Sequence, residues 1–211
     1  MLPTQEEWNA ALRRRHGAAR QQKFAAATVA VCGLGGLGSN IAIALARSGV
    51  GRLLLIDFDR VELSNLHRQQ YRAAQIGMYK TEAMGELLRE IAPWLSFEAV
   101  TERITAGNAA ALLAGADVVC EAFDGAEAKA MLVNAVLEQL PGTCLVAASG
   151  MAGLGSPNTI RTRKITEKLY LCGDEVSDVA GAGSLVAPRV MLCAAHQALT
   201  VLRLLAGESD V

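Results

Sequence analysis

From residue 28 onward, short apolar runs alternate with stretches in which apolar residues recur every three or four positions. The runs at 28–32, 52–57, 117–122 and 143–148 are continuous in their apolar character and short, which predicts strands covered on both faces, as parallel strands are. Residues 95–104 alternate apolar with polar and predict a fifth strand. Residues 36–48, 80–91, 108–113 and 125–140 carry helical periodicity, with Gly49-Val50-Gly51, Pro93 and Pro141-Gly142 as stops. Residues 58–79 show little period and predict a long functional loop with a single turn near 65–71. Residues 149–183 hold six glycines and an alternating run at 159–164, which predicts a β-hairpin region with a mobile loop. A closing helix is predicted over 184–205, offset at Pro188, and a polar helical arm over 5–24.

Strands alternating with helices predict an α/β fold: a doubly wound, Rossmann-like, mainly parallel sheet with helices on both faces and a C-terminal hairpin and crossover-loop region. The whole chain, 1–211, reads as one domain with an N-terminal helical arm within 1–27. In such sheets ligands sit at the carboxyl ends of the strands, where Gly33, Asp57 and Asp124 all fall.

The first strand runs directly into Gly33-Leu34-Gly35-Gly36-Leu37-Gly38, in which Gly33, Gly35 and Gly38 stand at the G-x-G-x-x-G spacing. That spacing allows a tight turn, close approach of backbone to phosphate, and close packing of the next helix on its strand. The context the motif requires is present: strand, loop, amphipathic helix, strand, then an acid, Asp57, 19 residues after Gly38. The helix beginning at Gly36 aims unpaired N–H groups and its positive dipole end at an anion.

Composition narrows the partners. With 20 Lys and Arg against 21 Asp and Glu, the net charge of −1 recruits neither nucleic acid nor an anionic membrane. No basic start followed by an apolar core marks a signal peptide, and Arg189, His196 and Arg203 interrupt the most apolar segment, so no membrane span is expected. Five cysteines without paired spacing argue for a reducing, cytoplasmic setting, and the absence of C-x-x-C argues against a four-thiolate zinc site. Cys32, Cys120, Cys144 and Cys193 read as small buried hydrophobes, and His196 as a core residue.

The residues after Asp57 separate the nucleotide classes. A nicotinamide enzyme needs only the acid, for the ribose; here Asp59, Asn65, Arg68, Gln69 and Lys80 come within one loop of it. Arg68 offers a planar fork of donors and Lys80 a compact cation, a set suited to a triphosphate. Asp124 suits a Mg²⁺ held by one carboxylate and phosphate oxygens. Taken singly, each has a bland reading: Arg68 in a surface ion pair, Lys80 as a solvated helix start, Asp124 as a helix N-cap.

The strings Gly-Leu-Gly-Gly-Leu-Gly-Ser and Ile56-Asp57-Phe58-Asp59-Arg60-Val61-Glu62-Leu63-Ser64-Asn65-Leu66-His67-Arg68-Gln69, with Gly77 before Lys80, resemble the ThiF/MoeB family, the prokaryotic branch of the ubiquitin-activating enzyme superfamily. The similarity extends over about 14–205 and resembles the thiamine-pathway branch in the segments Tyr170-Leu171-Cys172-Gly173-Asp174 and Ala187-Pro188-Arg189-Val190. The resemblance implies adenylation of the C-terminal glycine of a small ubiquitin-like sulfur carrier, using ATP and Mg²⁺ and releasing pyrophosphate. It implies that Gly33, Gly35, Gly36 and Gly38 cradle the nucleotide, that Asp57 holds the ribose, and that Asn65, Arg68 and Lys80 hold phosphates. Asp59 and Gln69 support that loop and Asp124 binds the metal. It further implies a homodimer in which an N-terminal arginine, Arg14 with Arg13 and Arg15 as alternatives, reaches the partner's site.

Departures from the pattern are specific. The zinc-binding cysteine pairs of many relatives are missing, so residues 149–183 must be ordered by other means, and no zinc is expected. Gly125 stands where asparagine is frequent and Lys129 where arginine is frequent. No sulfurtransferase segment is appended, so sulfur chemistry is expected to fall to another protein. Cys172, set before Gly173-Asp174-Glu175, reads as an exposed thiol candidate whose acidic neighbours would raise its pKa. Two other classes fit parts of the chain: an NAD-dependent oxidoreductase, which residues 33–57 alone would allow, and a catalytically silent binding partner, which Gly125 and Lys129 allow.

Overall fold

A computed structural model describes residues 3–211. Seven strands form one sheet in the order β3-β2-β1-β4-β5-β7-β6. They are β1 (Thr28–Cys32), β2 (Arg52–Ile56), β3 (Ser96–Val100), β4 (Val118–Glu121), β5 (Cys144–Ala148), β6 (Arg161–Lys164) and β7 (Leu169–Gly173). All neighbours pair parallel except β6, which runs antiparallel to β7 at the edge. The chain winds outward from β1 through β2 to β3, then crosses to β4 on the other flank, so the switch in strand order lies between β1 and β4. The expected doubly wound α/β architecture is the one observed.

The central strands carry apolar side chains on both faces because helices cover both. Val29, Val31, Leu53, Leu55, Val118 and Val146 meet α3 (Gly36–Arg47), α4 (Lys80–Ile91) and α8 (Ala187–Ala206) on one side. Ala30, Cys32, Leu54, Ile56, Val119 and Leu145 meet α5 (Ala109–Leu112) and α6 (Ala126–Gln139) on the other. By length and composition α8 could cross a membrane, yet its inner face, with Val190, Cys193, Ala194, Ala198 and Val201, is part of the first core cluster.

Two close backbone approaches at the end of β1, to β4 and to α3, depend on glycines. Gly33 has φ +90° and a Cβ there would lie 2.8 Å from the Ala122 carbonyl oxygen; a Cβ on Gly38 would lie 1.8 Å from the Gly33 carbonyl oxygen. The helix therefore starts against the strand's own backbone, which fixes where its N-terminus points.

Several boundaries differ from expectation. The N-terminal arm, whose residues 1 and 2 lie outside the described residues, is two helices, α1 (Gln5–His16) and α2 (Ala18–Ala26). Gly17, at φ +85°, caps the first by donating to the Arg13 carbonyl and turns the chain into the second. Both sit at the amino ends of the strands, where Trp8 meets Trp94 at 6.2 Å between ring centroids and Gln21 Nε2 donates to the Gly49 carbonyl. The loop after β2 contains two single 3₁₀ turns, Leu63–Asn65 and Ala73–Gln75, instead of one. The third strand stops at Val100, and residues 102–104 leave the sheet for the rim of a cavity. α8 has no offset, because Pro188 falls in its first turn where a missing N–H costs nothing. His196 is half-buried instead of core, its Nδ1 2.9 Å from Thr162 Oγ1, and burial lowers its pKa.

The 149–183 segment is a hairpin whose second strand, β7, joins the main sheet beside β5, followed by the short helix α7 (Val179–Ala182). A buried ion pair holds the loops around it. Arg189, in the first turn of α8, donates to Asp174 Oδ2, to the carbonyls of Gly155 and Ser156, and to Thr159 Oγ1. Both partners of the pair are 6% exposed. Asp174 Oδ1 accepts from the N–H groups of Val176 and Ser177 and from Ser177 Oγ. Burial pushes the Asp174 carboxyl up, but those bonds and Arg189 outweigh it and hold the pKa at about 2.

Because the folded pKa lies below the ordinary carboxylate value, this group contributes stability above pH ~4 and loses it as the pH falls towards 2, about 2 kcal/mol in all. Asp174→Asn is expected to cost about 3 kcal/mol at pH 7, since buried Arg189 loses its counter-charge, and to flatten that acid limb; urea denaturation between pH 2 and 7 measures both. Gly38→Ala is expected to destabilise by on the order of 3 kcal/mol, because backbone must move to admit the methyl group; an unchanged urea midpoint would contradict the close approach described.

Candidate functional site

At the carboxyl ends of β1, β2, β4 and β5 lies a cavity of about 680 Å³, within the range of small-molecule sites. Gly33, Gly35, Gly36, Asp57, Asp59, Asn65, Arg68, Gln69, Lys80 and Asp124 all line it. Gly38 lies behind, under the first turn of α3. The N-cap of α3, Gly35, offers no side-chain acceptor, so the first-turn N–H groups at the cavity wall have no side-chain partner.

Asp57 joins the two halves of this wall. Its Oδ2 accepts from the Leu34 N–H at 2.6 Å and its Oδ1 from the Asp59 N–H at 2.7 Å. Burial pushes its carboxyl up, against Lys80 and these two N–H groups, which pull it down. Tyr71, buried, braces the glycine loop by donating its hydroxyl to the Leu34 carbonyl at 2.7 Å. Lys80 is not a solvated helix start: its side chain is 8% exposed and its Nζ donates to Asp59 Oδ2 at 2.9 Å. The pair delivers an ammonium into the cavity with a carboxylate beside it.

Arg68 forms no ion pair among the described residues. Its Nη1 donates to the Ser64 carbonyl at 3.1 Å, and its Nε is buried without a partner. Gln69 Oε1 is likewise buried and unpartnered. Unmade bonds of this kind cost on the order of 1–3 kcal/mol each, and two of the four such atoms among the described residues, the others being Arg189 Nε and Gln197 Oε1, fall on this wall. Asn65 Oδ1 accepts from the Glu62 N–H and closes the 3₁₀ turn that presents Arg68.

On the opposite wall, β4 ends in Glu121, only 1% exposed. Its carboxylate accepts from Lys129 Nζ at 2.9 and 3.0 Å and from the Phe123 N–H at 2.7 Å. Gln197, fully buried on α8, donates to the carbonyls of Glu121 and Val146 and ties the helix to two strand ends. Asp124 comes next, on an exposed turn. It does not cap α6, whose N-cap is Gly125 without a side-chain bond, and it forms no salt bridge among the described residues. No cluster of three metal-ligating side chains occurs among the described residues; one carboxylate on the wall of this cavity fits Mg²⁺, which binds largely through phosphate oxygens and water.

Two expectations need correction or relocation. Cys172 is not exposed: it lies in β7 with no accessible surface, Thr162 Oγ1 at 3.5 Å, and burial, not the neighbouring acids, raises its pKa. β7 is an interior strand of the sheet, so the polar residues next to Cys172 in sequence turn away while its side chain enters the core. Arg14 is exposed on α1, and neither it nor Arg13 or Arg15 lines the cavity of its own chain. His67 meets the backbone carbonyls of Ser64 and Leu185, and its Nε2 lies 3.4 Å from Arg68 Nη1. Sequence reasoning missed Glu121, Gln197 and the Arg103 guanidinium stacked 3.7 Å over Phe58 at the rim. A charge closing an apolar strand and an amide inside an apolar helix were the available signals.

The sequence profile of the ThiF family matches residues 9–211. The molybdopterin-synthase adenylyltransferase of Escherichia coli strain K12 is 32% identical over 198 residues, covering 89% of this chain and 76% of that protein. The adenylyltransferase and sulfurtransferase UBA4 of Lodderomyces elongisporus is 28% identical over 194 residues, covering 89% of this chain and 42% of that protein. The chain spans less than half the length of most of the curated relatives it matches. Among solved structures, E. coli tRNA N6-threonylcarbamoyladenosine dehydratase, TcdA, in complex with ATP superimposes with a TM-score of 0.85 over 98% of both chains at 24% identity. With nearly the full length matched by the profile, this chain belongs to the ThiF family.

Proposed function

We propose that this protein is an ATP-dependent adenylyltransferase that activates the C-terminal glycine carboxylate of a small ubiquitin-like sulfur carrier and releases pyrophosphate. The carrying observation is that Arg68, Lys80 and Asp124, far apart in sequence, line one cavity with the glycine loop and Asp57. The adenylyltransferases among the relatives support the reaction type.

In this reading a carboxylate oxygen forms a bond to the α-phosphorus of ATP, the bond from that phosphorus to the β-bridging oxygen breaks, and pyrophosphate leaves with the electron pair. Two anions must meet, so the site supplies positive field and in-line geometry; no protein nucleophile is required. The α3 N-terminus and Arg68 face the phosphates. Arg68 Nε and Gln69 Oε1 are unpartnered groups that a polar ligand can satisfy. Lys80 keeps its ammonium in place through Asp59. Asp57 presents its remaining lone pairs to the ribose, with its orientation fixed by the Leu34 and Asp59 N–H groups. Magnesium, when bound at Asp124, offsets phosphate charge. Arg14 serves the site of a partner subunit in a homodimer, which accounts for its distance from the cavity of its own chain. Cys172, buried, is a core residue in this scheme.

Arg68→Ala and Lys80→Ala are each expected to cost about 2–4 kcal/mol in the adenylation barrier, roughly a 30- to 1,000-fold loss. Carrier-dependent exchange of pyrophosphate into ATP measures this, and unchanged rates in both variants would refute the assignment. Saturable NAD binding with no ATP binding would instead establish the oxidoreductase reading, in which both cations are incidental. ATP binding without exchange in the presence of any carrier would leave a silent binding partner.

A further inference from the structure

We infer that Glu121 and Lys129 are a positioning pair that sets the direction of Asp124, and that Lys129 does not itself contact phosphate. The inference rests on the nucleotide reading above. Lys129 lines the cavity and would at first sight be a third phosphate-binding cation. Its ammonium has three donors. It meets both oxygens of the Glu121 carboxylate, at 3.0 and 2.9 Å, and the Ala148 carbonyl at 3.1 Å, so its contacts are with protein on two strand ends. Its charge is also balanced by a carboxylate that is almost wholly buried. A phosphate could recruit this ammonium only by stripping Glu121 of its counter-ion, and an uncompensated buried carboxylate is costly.

The carboxylate has a second duty. Glu121 Oε1 accepts from the Phe123 N–H at 2.7 Å, inside the turn that carries Asp124 between β4 and α6. Among the described residues Asp124 has no side-chain bond to fix it: it is exposed, and the helix behind it is capped without a side chain. The turn is therefore held from below, by one carboxylate that is itself held by Lys129 from the second turn of α6. Through Ala148 the same ammonium ties this turn to the end of β5, where Ser149 and Gly150 continue the cavity wall. Glu121 and Lys129 thus govern the metal-facing carboxylate without touching nucleotide.

The test uses the double variant E121Q/K129M, which removes both charges and leaves neither buried alone, with Lys129→Arg as the conservative rescue. Binding of ATP without metal is measured by calorimetry, and binding of Mn²⁺ to the ATP complex by the loss of its free electron-spin-resonance signal. The expected result is metal-free ATP affinity within twofold of the parent, a rise of five-fold or more in the Mn²⁺ concentration for half-saturation, and near-parental values for Lys129→Arg. A tenfold loss of metal-free ATP affinity would make Lys129 a phosphate ligand, and an unchanged Mn²⁺ requirement would make the pair purely structural; either overturns the inference. Should the double variant not fold, the ¹⁵Nζ resonance of Lys129 in the parent decides. It is expected to be protected from solvent exchange and unmoved by metal-free ATP, and movement on adding that ATP overturns the proposal. If the parent binds no ATP at all, the nucleotide reading fails and takes this role with it; ATP binding with the variant results reversed removes the positioning role alone.

Discussion

The site depends on one carboxylate whose two oxygens are each held by a backbone N–H. Asp57 stands at the end of β2, yet its Oδ2 is bound to Leu34 in the loop after β1 and its Oδ1 to Asp59 on the way to Lys80. Two strands that are merely neighbours in the sheet become one wall, with the glycine turn and the cationic loop in fixed relation. The cost is burial of an acid, visible as the upward push on its pKa. That cost is offset by charge-assisted bonds to backbone N–H groups, which are stronger than neutral ones.

The same solution recurs around the cavity. Three buried charges, Lys80, Glu121 and Arg189, each sit where a strand or loop must hold still, and each is satisfied by a partner reaching from a different element. Replacing such pairs with apolar residues would often be no less stable. What they provide is direction: a charge with several fixed partners defines one arrangement of loops where apolar packing would accept many. In this chain the Arg189 and Asp174 network orders the 149–183 segment.

Much of the fold could be read along the chain. The apolar runs located β1, β2, β4 and β5 to within a residue or two, because strands buried on both faces leave no choice of residue type. α4 was bounded as expected, since Lys80 and Pro93 mark its limits. Misreadings fell where a side chain's setting is decided by a distant element. Cys172 has polar neighbours in sequence and a fully buried setting in space, because its strand lies inside the sheet. The single arm became two helices at one glycine, and the extra 3₁₀ turn came from side chains bonding locally.

Sequence by itself determined the glycine turn, the order of strands and helices, and the inventory of charges after β2, since these depend on spacing and residue type within a few turns of chain. Only the tertiary structure decided which charges are free to act. Lys80 and Lys129 are the same residue type on the same cavity, and both are paired, but Lys129 is held by a buried carboxylate and a backbone carbonyl while Lys80 is held by one half-exposed carboxylate. That difference depends on acceptors supplied by β4 and β5, brought together by a sheet, and no local pattern encodes it.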